Sequence, residues 1–175
     1  MIVIALGANL SSQTYGPPRA TLSTGLAMLE RAGIALMARS SWYESAPVPA
    51  SDQPWFVNAV AAVDTACAPA VLMRHLHDVE AALGRVRDGT TNAPRAADLD
   101  LVAHHRWISG EGDWPTLPHP RMTERAFVLH PLAEIAPDWC HPVTGEPIAD
   151  LIARLPADQT CLRMPEPDSP DGGEA

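Results

Sequence analysis

Stretches of apolar residues with two different periods divide this chain into strands and helices. Four stretches are continuously apolar or alternate with a period of two, as strands do. They are residues 2–7, 34–45, 55–66 and 96–105. Two longer stretches repeat apolar residues every three to four positions, which is typical of helices with one face in a core. These helices are predicted over residues 19–32 and 68–86, with Gly33 and Gly84 as their stop signals.

These elements follow one another in the order strand, helix, strand, strand, helix, strand. That order is typical of the ferredoxin-like α+β fold, with helices on one face of a mainly antiparallel sheet. Residues 116–139 predict a loop and then a short helix broken at Pro131 and Pro137. Residues 147–155 predict a last amphipathic helix. We therefore expect a βαββαβ sandwich with helical additions at its C-terminal end.

Length and composition fit a single domain. The chain has 175 residues, of which 46% are hydrophobic, enough for one real core. We expect a domain over residues 1–163 and a disordered acidic tail, rich in Pro and Gly, over residues 164–175. No apolar run approaches a membrane span, and the N-terminus carries no targeting pattern. These features predict a soluble cytoplasmic protein without a membrane partner. The three cysteines are widely spaced and predicted to be reduced thiols.

The charge of the chain limits which partners it can hold. The formal net charge is −9, which repels nucleic acid backbones overall and predicts no nucleic-acid partner. Any polyanion must therefore be bound locally, by clustered Arg or by metal ions. All 12 basic residues are Arg, the residue best suited to bidentate phosphate contacts, although a GC-rich coding bias is the favoured explanation for the lack of Lys.

Two carboxylates stand on one predicted strand in the segment NAPRAADLDLV, residues 92–102. Asp98 and Asp100 are two positions apart, so both project from one face, roughly 6–7 Å apart. Like charges that close repel each other unless a cation lies between them, and Mg²⁺ takes one or two protein carboxylates. Such ions could clamp a triphosphate. The alternative is an exposed edge strand with solvated Asp, and the spacing alone does not decide between the two.

Arginines surround this pair in the sequence. Arg85 and Arg87 leave the second helix, and Arg95 precedes Asp98 by three residues. With carboxylates and metal on one side of a polyphosphate, Arg could hold the other side. The alternatives are a solvated basic loop, or salt bridges between Arg95 and the Asp pair.

A second segment, LPHPRMTERAF, adds further candidate residues. His119 could donate a hydrogen bond to a phosphate, and Arg125 could neutralise charge in a transition state. A plain surface loop is the alternative. His104 and His105 could be metal ligands, but an exposed strand end is the simpler interpretation. The chain contains no P-loop, and Gly7 is interpreted as a turn at the end of the first strand.

Five segments in this order resemble the 6-hydroxymethyl-7,8-dihydropterin pyrophosphokinases of folate biosynthesis. They are ALGANL, QPWFVNAV, VEAALGRVR, NAPRAADLDL and LPHPRMTERAFVLHPLAEIAPDW. The resemblance implies a ferredoxin-like fold and an enzyme that transfers a diphosphoryl group from ATP, its co-substrate, to the hydroxymethyl oxygen of the pterin. AMP is the second product.

The resemblance also implies roles for individual residues at the nucleotide. Asp98 and Asp100 would hold two Mg²⁺ ions on the ATP phosphates, and Arg125 would lie near the transferred group. The other residues matched to ATP binding or catalysis are Glu80, Arg85, Arg87, Arg95, Leu101, Thr116 and His119. The loop over residues 85–96 would close over the substrates.

The pterin site carried over from the resemblance has five members, namely Ser45, Val48, Phe56, Asn58 and Phe127. The two aromatic rings suit the faces of a flat heterocycle, and the Asn58 amide suits its polar edge. By themselves the two Phe would be read as core. The sequence departs from the family pattern at Asn92, where the family often has Trp, and at Phe56, where Tyr is commoner.

Two rival functions remain open on the residues alone. One is a non-catalytic nucleic-acid module on the same scaffold, which would need a basic surface. The other is a metal-dependent hydrolase that uses Asp98 and Asp100 with a nearby His.

Overall fold

The structure is a computed structural model that describes residues 1–85 and 93–165. Its elements are β1 (Ile2–Ala8), α1 (Pro18–Arg31), β2 (Ala35–Arg39), β3 (Tyr43–Ser45), β4 (Phe56–Asp64), α2 (Pro69–Ala82), β5 (Asp98–His104), α3 (Ala126–Ile135), α4 (Ile148–Ala153) and β6 (Cys161–Arg163). A 3₁₀ turn at Met122–Glu124 precedes α3. The predicted α+β class is confirmed.

The strands form one antiparallel sheet in the order β5-β1-β4-β3-β6, with β2 also pairing with β4. If β2 and β3 are counted as the one strand that the sequence predicts, the four strands of the βαββαβ pattern lie in the order fourth, first, third, second. This is the ferredoxin-like arrangement, and it places β1 at the centre, directly between β4 and β5.

The sheet is covered by helices on both faces. Residues such as Ile4 and Leu99 point to α1 and α2, and they belong to the larger of two buried clusters. Val3 and Val60 point the other way, into a second cluster built around α3 and α4. The predicted pair of helices does share one face, and the C-terminal additions close the opposite one.

Two sequence predictions about single elements are wrong. The strand predicted over residues 34–45 is split into β2 and β3, because the Ser40 hydroxyl accepts the Val60 N–H and Trp42 turns into the core. The helix predicted to break at Pro131 continues through it. Pro131 lacks one main-chain donor, but burial of Val128 and Leu132 against the sheet holds the helix together.

Strand β6 was not predicted. Three residues are too few for a pattern, and this strand exists only through its pairing with β3. The first residue of the predicted tail is nevertheless held in place, because the Met164 N–H donates to the Trp42 carbonyl at 2.8 Å. The rest of the predicted tail, residues 166–175, lies outside the described residues.

Close packing of the two N-terminal helices sets the position of the residues that follow α2. Gly25 lies inside α1, where an added Cβ would be 3.0 Å from Leu83 Cδ1. The glycine therefore lets α1 approach the last turn of α2, and this turn lies beside β5 with Leu76 and Val79 buried. Within residues 1–85 and 93–165, no helix is long and apolar enough to cross a membrane.

Candidate active site

Both predicted carboxylates project from β5 into one cavity. Asp98 pairs in register with Gly7 and Asp100 with Ala5, while Leu99 between them is buried on the face covered by α1 and α2. The two Asp side chains are 24% and 31% exposed. The period of two that suggested a shared face is therefore confirmed, and that face belongs to a cavity of about 440 Å³.

Asp98 is held between two guanidinium groups. Arg85 Nη1 donates to Asp98 Oδ1 and also to Glu80 Oε1, and Arg95 Nη1 donates to Asp98 Oδ2 at 2.9 Å. Burial by itself would lower the pKa of Arg85, but the charges of Asp98 and Glu80 raise it. The sequence left a salt bridge between Arg95 and the Asp pair as an alternative to phosphate binding. The salt bridge with Asp98 is present, and the cavity is present as well.

Glu80 supports this arrangement from behind. Its side chain is fully buried, and Oε1 accepts the Leu99 N–H at 2.7 Å as well as the Arg85 guanidinium. A buried carboxylate needs such partners. Glu80 therefore fixes Arg85 relative to β5 without lining the cavity.

Asp100 is less well compensated than Asp98. Its nearest cationic groups are Arg125 Nη1 at 3.7 Å and His119 Nε2 at 3.9 Å, both beyond hydrogen-bond distance. Burial and the charge of Asp98 raise the pKa of Asp100. Burial lowers the pKa of His119, and burial together with the charge of Arg121 lowers the pKa of Arg125. Burial therefore disfavours the charged form of each of these three groups.

The segment before α3 delivers His119 and Arg125 to the cavity. The His119 N–H donates to the Val102 carbonyl at 2.8 Å, and Met122 is buried in the second core. The Arg121 N–H donates to His119 Nδ1 at 3.1 Å, which leaves Nε2 directed to Asp100. Arg125 is the residue immediately before the first turn of α3.

The opposite part of the cavity is uncharged. Asn58 Nδ2 donates to Ser45 Oγ at 2.9 Å and to the Phe56 carbonyl at 3.3 Å. The Phe56 and Phe127 rings both line the cavity, together with Val48. Each ring also lies under a guanidinium group of the charged part, Arg95 at 5.8 Å from Phe56 and Arg125 at 5.4 Å from Phe127. The apolar and charged parts therefore meet along two cation–π contacts.

Gly7 lies between the two parts of the cavity. It is within β1, not at a turn as predicted, and it pairs with Asn58 on one side and Asp98 on the other. An added Cβ would be 3.2 Å from Asn58 Oδ1. The missing side chain keeps the surface open between the Asn58 amide and the carboxylates.

Most of the predicted site residues meet in this cavity. It is lined by Ser45, Val48, Phe56, Asn58, Arg85, Arg95, Asp98, Asp100, His119, Arg125 and Phe127. Among the others, Leu101 is buried in the first core, Thr116 is exposed, and Glu80 lies behind Arg85. Arg87 and Asn92, with most of the loop predicted to close, lie outside the described residues.

Sequence reasoning gave no site role to several residues. Gly7, Gln53 and Arg121 also line the cavity, and Asn9 supports it. Arg121 belongs to the Arg cluster of the sequence and lies in the LPHPRMTERAF segment, but it was assigned no role there. Gln53 and Asn9 carry no signal of their own, because their roles depend on loops that meet only in the folded chain.

The donor set of the cavity suits a magnesium ion with few protein ligands. No three His, Cys, Asp or Glu side chains of the described residues gather as a complete metal site. Mg²⁺ does not need them, since it keeps water and phosphate oxygens beside one or two carboxylates. His104 and His105 lie elsewhere: His104 Nε2 is 3.0 Å from the Cys67 carbonyl, and His105 Nδ1 is 3.2 Å from the N-terminal amine.

Comparison with known proteins shows which family the chain is similar to. The family model for 7,8-dihydro-6-hydroxymethylpterin-pyrophosphokinase (HPPK) matches residues 3–137. A 2-amino-4-hydroxy-6-hydroxymethyldihydropteridine pyrophosphokinase of Pseudomonas aeruginosa is 40% identical over 158 residues, which are 89% of this chain and 91% of that protein. Folic acid synthesis protein fol1 of Pneumocystis carinii is 37% identical over 154 residues, but the chain spans only 20% of its length.

One similar solved structure is that of an HPPK-DHPS protein of Plasmodium falciparum with pterin and p-hydroxybenzoate. It superposes with a TM-score of 0.65 at 13% identity, over 87% of this chain and 43% of that chain. At this identity the likeness shows the fold alone.

Proposed function

The chain belongs to the 7,8-dihydro-6-hydroxymethylpterin-pyrophosphokinase family, and on this premise we propose that it transfers the diphosphoryl group of ATP to 6-hydroxymethyl-7,8-dihydropterin. The observation that carries the proposal is the composition of the cavity. One end offers an acidic pair among Arg and His, and the other offers two aromatic rings and an oriented amide. A triphosphate and a flat heterocycle can therefore lie in one space with their reacting ends adjacent.

The proposed reaction is an in-line displacement at phosphorus. The hydroxymethyl oxygen of the pterin forms a bond to the β-phosphorus as the bridging bond between the α- and β-phosphates breaks. The bridging oxygen leaves on AMP, and the hydroxyl proton passes to water. Positioning and charge neutralisation supply most of the acceleration in such transfers.

On the nucleotide side, the guanidinium groups are the proposed phosphate ligands. Arg85 and Arg95 flank Asp98, and Arg125 lies beside Asp100 near the proposed transferred group. Arg95 Nε is buried and has no hydrogen-bond partner among the described residues, which suits a group that binds an anion. His119 can donate from Nε2. Arg87 is proposed as a further phosphate ligand from the resemblance alone.

Adenine is proposed to bind along the outer edge of β5, near Leu101 and Thr116. The Leu101 side chain is buried, so its contribution would come from the main chain. Strand β5 is at the edge of the sheet, and the Leu99 N–H on this edge donates to Glu80. A period of two places the Leu101 N–H on the same edge, from which it could donate to a heterocycle.

Asp98 and Asp100 are the proposed ligands of two Mg²⁺ ions. Burial and the charge of Asp98 raise the pKa of Asp100, and the repulsion between the two carboxylates is the physical reason to expect cations there. When bound, the ions neutralise phosphate charge and polarise the transferred group.

The pterin is proposed to lie between the rings of Phe56 and Phe127, with Val48 beside it. Both donors of the Asn58 side chain are already engaged, one by Ser45 and one by the Phe56 carbonyl. Oδ1 is then the atom that accepts a hydrogen bond from the pterin. Ser45 orients Asn58, which explains why a small hydroxyl residue stands at that strand position.

A product assay tests this function. Purified protein would be incubated with ATP, Mg²⁺ and the reduced hydroxymethylpterin, and products would be identified by mass. We expect equal amounts of AMP and diphosphorylated pterin. Free phosphate without a pterin product would establish the rival hydrolase and overturn the proposal.

Two further proposals concern compartment and partners. The three cysteines are free thiols, which suits the cytoplasm. The net charge of −9 argues against nucleic acid as a partner. Cell fractionation and a salt-dependent RNA-binding measurement would test them.

A further inference from the structure

Arg125 occupies a position in α3 that usually belongs to another kind of residue. It is the N-cap of this helix, with extended backbone (φ −119°, ψ 107°), and its side chain makes no cap hydrogen bond. Ser, Thr, Asp and Asn are preferred at an N-cap, because their side chains accept the free N–H groups of the first turn. A guanidinium group has no acceptor. Another group must therefore satisfy the first turn of α3.

Gln159, from the C-terminal segment of the chain, supplies that group. Its Oε1 accepts the Ala126 N–H at 2.9 Å, and its Nε2 donates to the Glu124 carbonyl at 2.7 Å. Ala126 is the first residue of α3, and Glu124 is the last residue of the preceding 3₁₀ turn. One side-chain amide therefore bonds to the main chain on both sides of Arg125.

The guanidinium group of Arg125 is placed mainly by this main-chain support. Within residues 1–85 and 93–165, the structure gives its side chain no hydrogen bond. Its Nη1 is 3.7 Å from Asp100 Oδ2, and its Cζ is 5.4 Å from the centre of the Phe127 ring. Neither contact fixes a direction as a hydrogen bond does. The position of the guanidinium group thus follows from where the chain turns into α3.

Strand β6 holds Gln159 in place. The Thr160 carbonyl accepts the Ala46 N–H at 3.3 Å. Cys161, the first residue of β6, pairs with Ser45 of β3. The two residues that follow Gln159 therefore attach it to the sheet, while its side chain attaches it to the start of α3. A strand of only three residues in this way connects the sheet to the junction at Arg125.

We propose that Gln159 is a positioning residue for the diphosphoryl transfer and acts through Arg125. The inference rests on the proposed function, in which Arg125 neutralises charge near the transferred group. Gln159 does not line the cavity, so its effect must pass through the residue that it holds. An interaction made mainly in the transition state contributes to kcat rather than to substrate binding. Misplacement of Arg125 should therefore lower kcat more than it raises KM.

Steady-state kinetics of AMP release would compare the parent with Gln159→Ala and Gln159→Met. Gln159→Met keeps the length of the side chain but loses both hydrogen bonds. We expect either change to lower kcat by about tenfold, with KM for ATP and for the pterin changed by less than about twofold.

Thr160→Ala is the matched control. This neighbouring side chain is exposed and has no hydrogen bond in the part of the chain that the structure describes. The substitution leaves the main-chain bond to Ala46 intact, so the variant should keep the parent kcat.

A double-mutant cycle separates positioning of Arg125 from a general structural effect. In the Arg125→Ala background, Gln159→Met should lower kcat by less than about twofold further, because the group that it positions is already absent. The same loss of about tenfold in both backgrounds would overturn the inference. A parent-like kcat in Gln159→Met, with a melting temperature that shows it folded, would also overturn it. If Gln159→Ala fails to fold, Gln159→Met supplies the result. A parent protein that forms no diphosphorylated pterin would instead overturn the proposed function.

Discussion

Two clusters of polar side chains in this molecule differ in how far the protein itself compensates their charges. The anchor cluster, formed by Ser41, Tyr43, Glu134 and Arg163, ties α3 to β3 and β6. Glu134 accepts the Ser41 N–H at 2.9 Å, the Ser41 hydroxyl at 2.8 Å and the Tyr43 hydroxyl at 2.8 Å. Burial would raise the pKa of Glu134, but these hydrogen bonds lower it. Burial, and after it the hydrogen bond to Glu134, raise the pKa of Tyr43 to about 12.

The second cluster lies in the cavity, and around Asp100 its charges are not compensated in this way. This cavity cluster is formed by Arg85, Arg95, Asp98, Asp100, His119 and Arg125. The charged forms of Asp100, His119 and Arg125 are all disfavoured by burial. The two basic groups nearest to Asp100, on Arg125 and His119, lie at 3.7 and 3.9 Å, too far for hydrogen bonds. Protein groups therefore satisfy the anchor cluster, whereas the charges around Asp100 are left for the proposed ligands to compensate.

The largest expected effect is on turnover, from loss of either acidic residue of the cavity cluster. Asp98→Ala and Asp100→Ala should each lower kcat by about 10³-fold or more, the upper range for removal of one electrostatic contact to a transition state. Because burial disfavours the Asp100 charge, its loss should not lower the melting temperature of the metal-free protein. Substantial Mg²⁺-dependent turnover in either variant would show that the carboxylates do not hold the metal.

Arg125 should be nearly as important for turnover. Arg125→Ala should lower kcat by about 10²-fold, because the developing phosphate charge loses a guanidinium group. Steady-state kinetics and pterin titration would be compared with Arg154→Ala, an exposed arginine on the surface after α4. If only the pterin affinity changed, the assignment of Arg125 to the nucleotide part of the cavity would be wrong.

A moderate effect is expected at the junction between the two parts of the cavity. In Gly7→Ala the new Cβ would lie 3.2 Å from Asn58 Oδ1, so the amide must move. We expect pterin binding to weaken by about tenfold, since overpacking of this kind costs about 1–3 kcal/mol. Nucleotide binding should change less. Equal losses for both ligands in parallel titrations would contradict the assigned position of Asn58.

The smallest expected effect tests the anchor cluster, and it falls on stability rather than turnover. Glu134→Gln should lower the free energy of unfolding at pH 7 by about 1 kcal/mol, because hydrogen bonds to a charged acceptor are replaced by weaker ones. Turnover should remain at the parent level. Glu146→Gln is the control, because Glu146 pairs with an exposed Arg154 and such surface pairs contribute little.

The same variant gives a pH dependence with a definite sign. The pKa of Glu134 in the folded state lies below its ordinary value of 4.5. Its stabilisation is therefore complete above about pH 4.5 and is lost as the pH falls through the lower, folded-state value. Urea unfolding of parent and variant at pH 7 and in acid should show their difference shrinking. A difference that grows in acid would mean that Glu134 is not held as a carboxylate.

The strongest local patterns predicted much of the fold and site. The period of two around Asp98 and Asp100 was enough to place both on one face, and the helical stripe of α2 was enough to place Arg85 near its end. Pro131 shows where local rules fail. A proline destabilises a helix through its nearest neighbours in the chain. The buried contacts of Val128 and Leu132 outweigh this loss, and they are made with strands distant in sequence.

The amino-acid sequence by itself determined the order of elements, the acidic pair and the family, because each is a pattern within a few tens of residues. Only the tertiary structure decided that α3 covers the second face of the sheet, that Ser40 ends β2, and that Asn9 holds two cavity segments. Each of these depends on groups tens of residues apart, and hydrogen bonds and burial between such groups leave no period in the chain. The charged and aromatic parts of the cavity meet because β1 lies between β4 and β5, an arrangement set by the packing of the whole sheet.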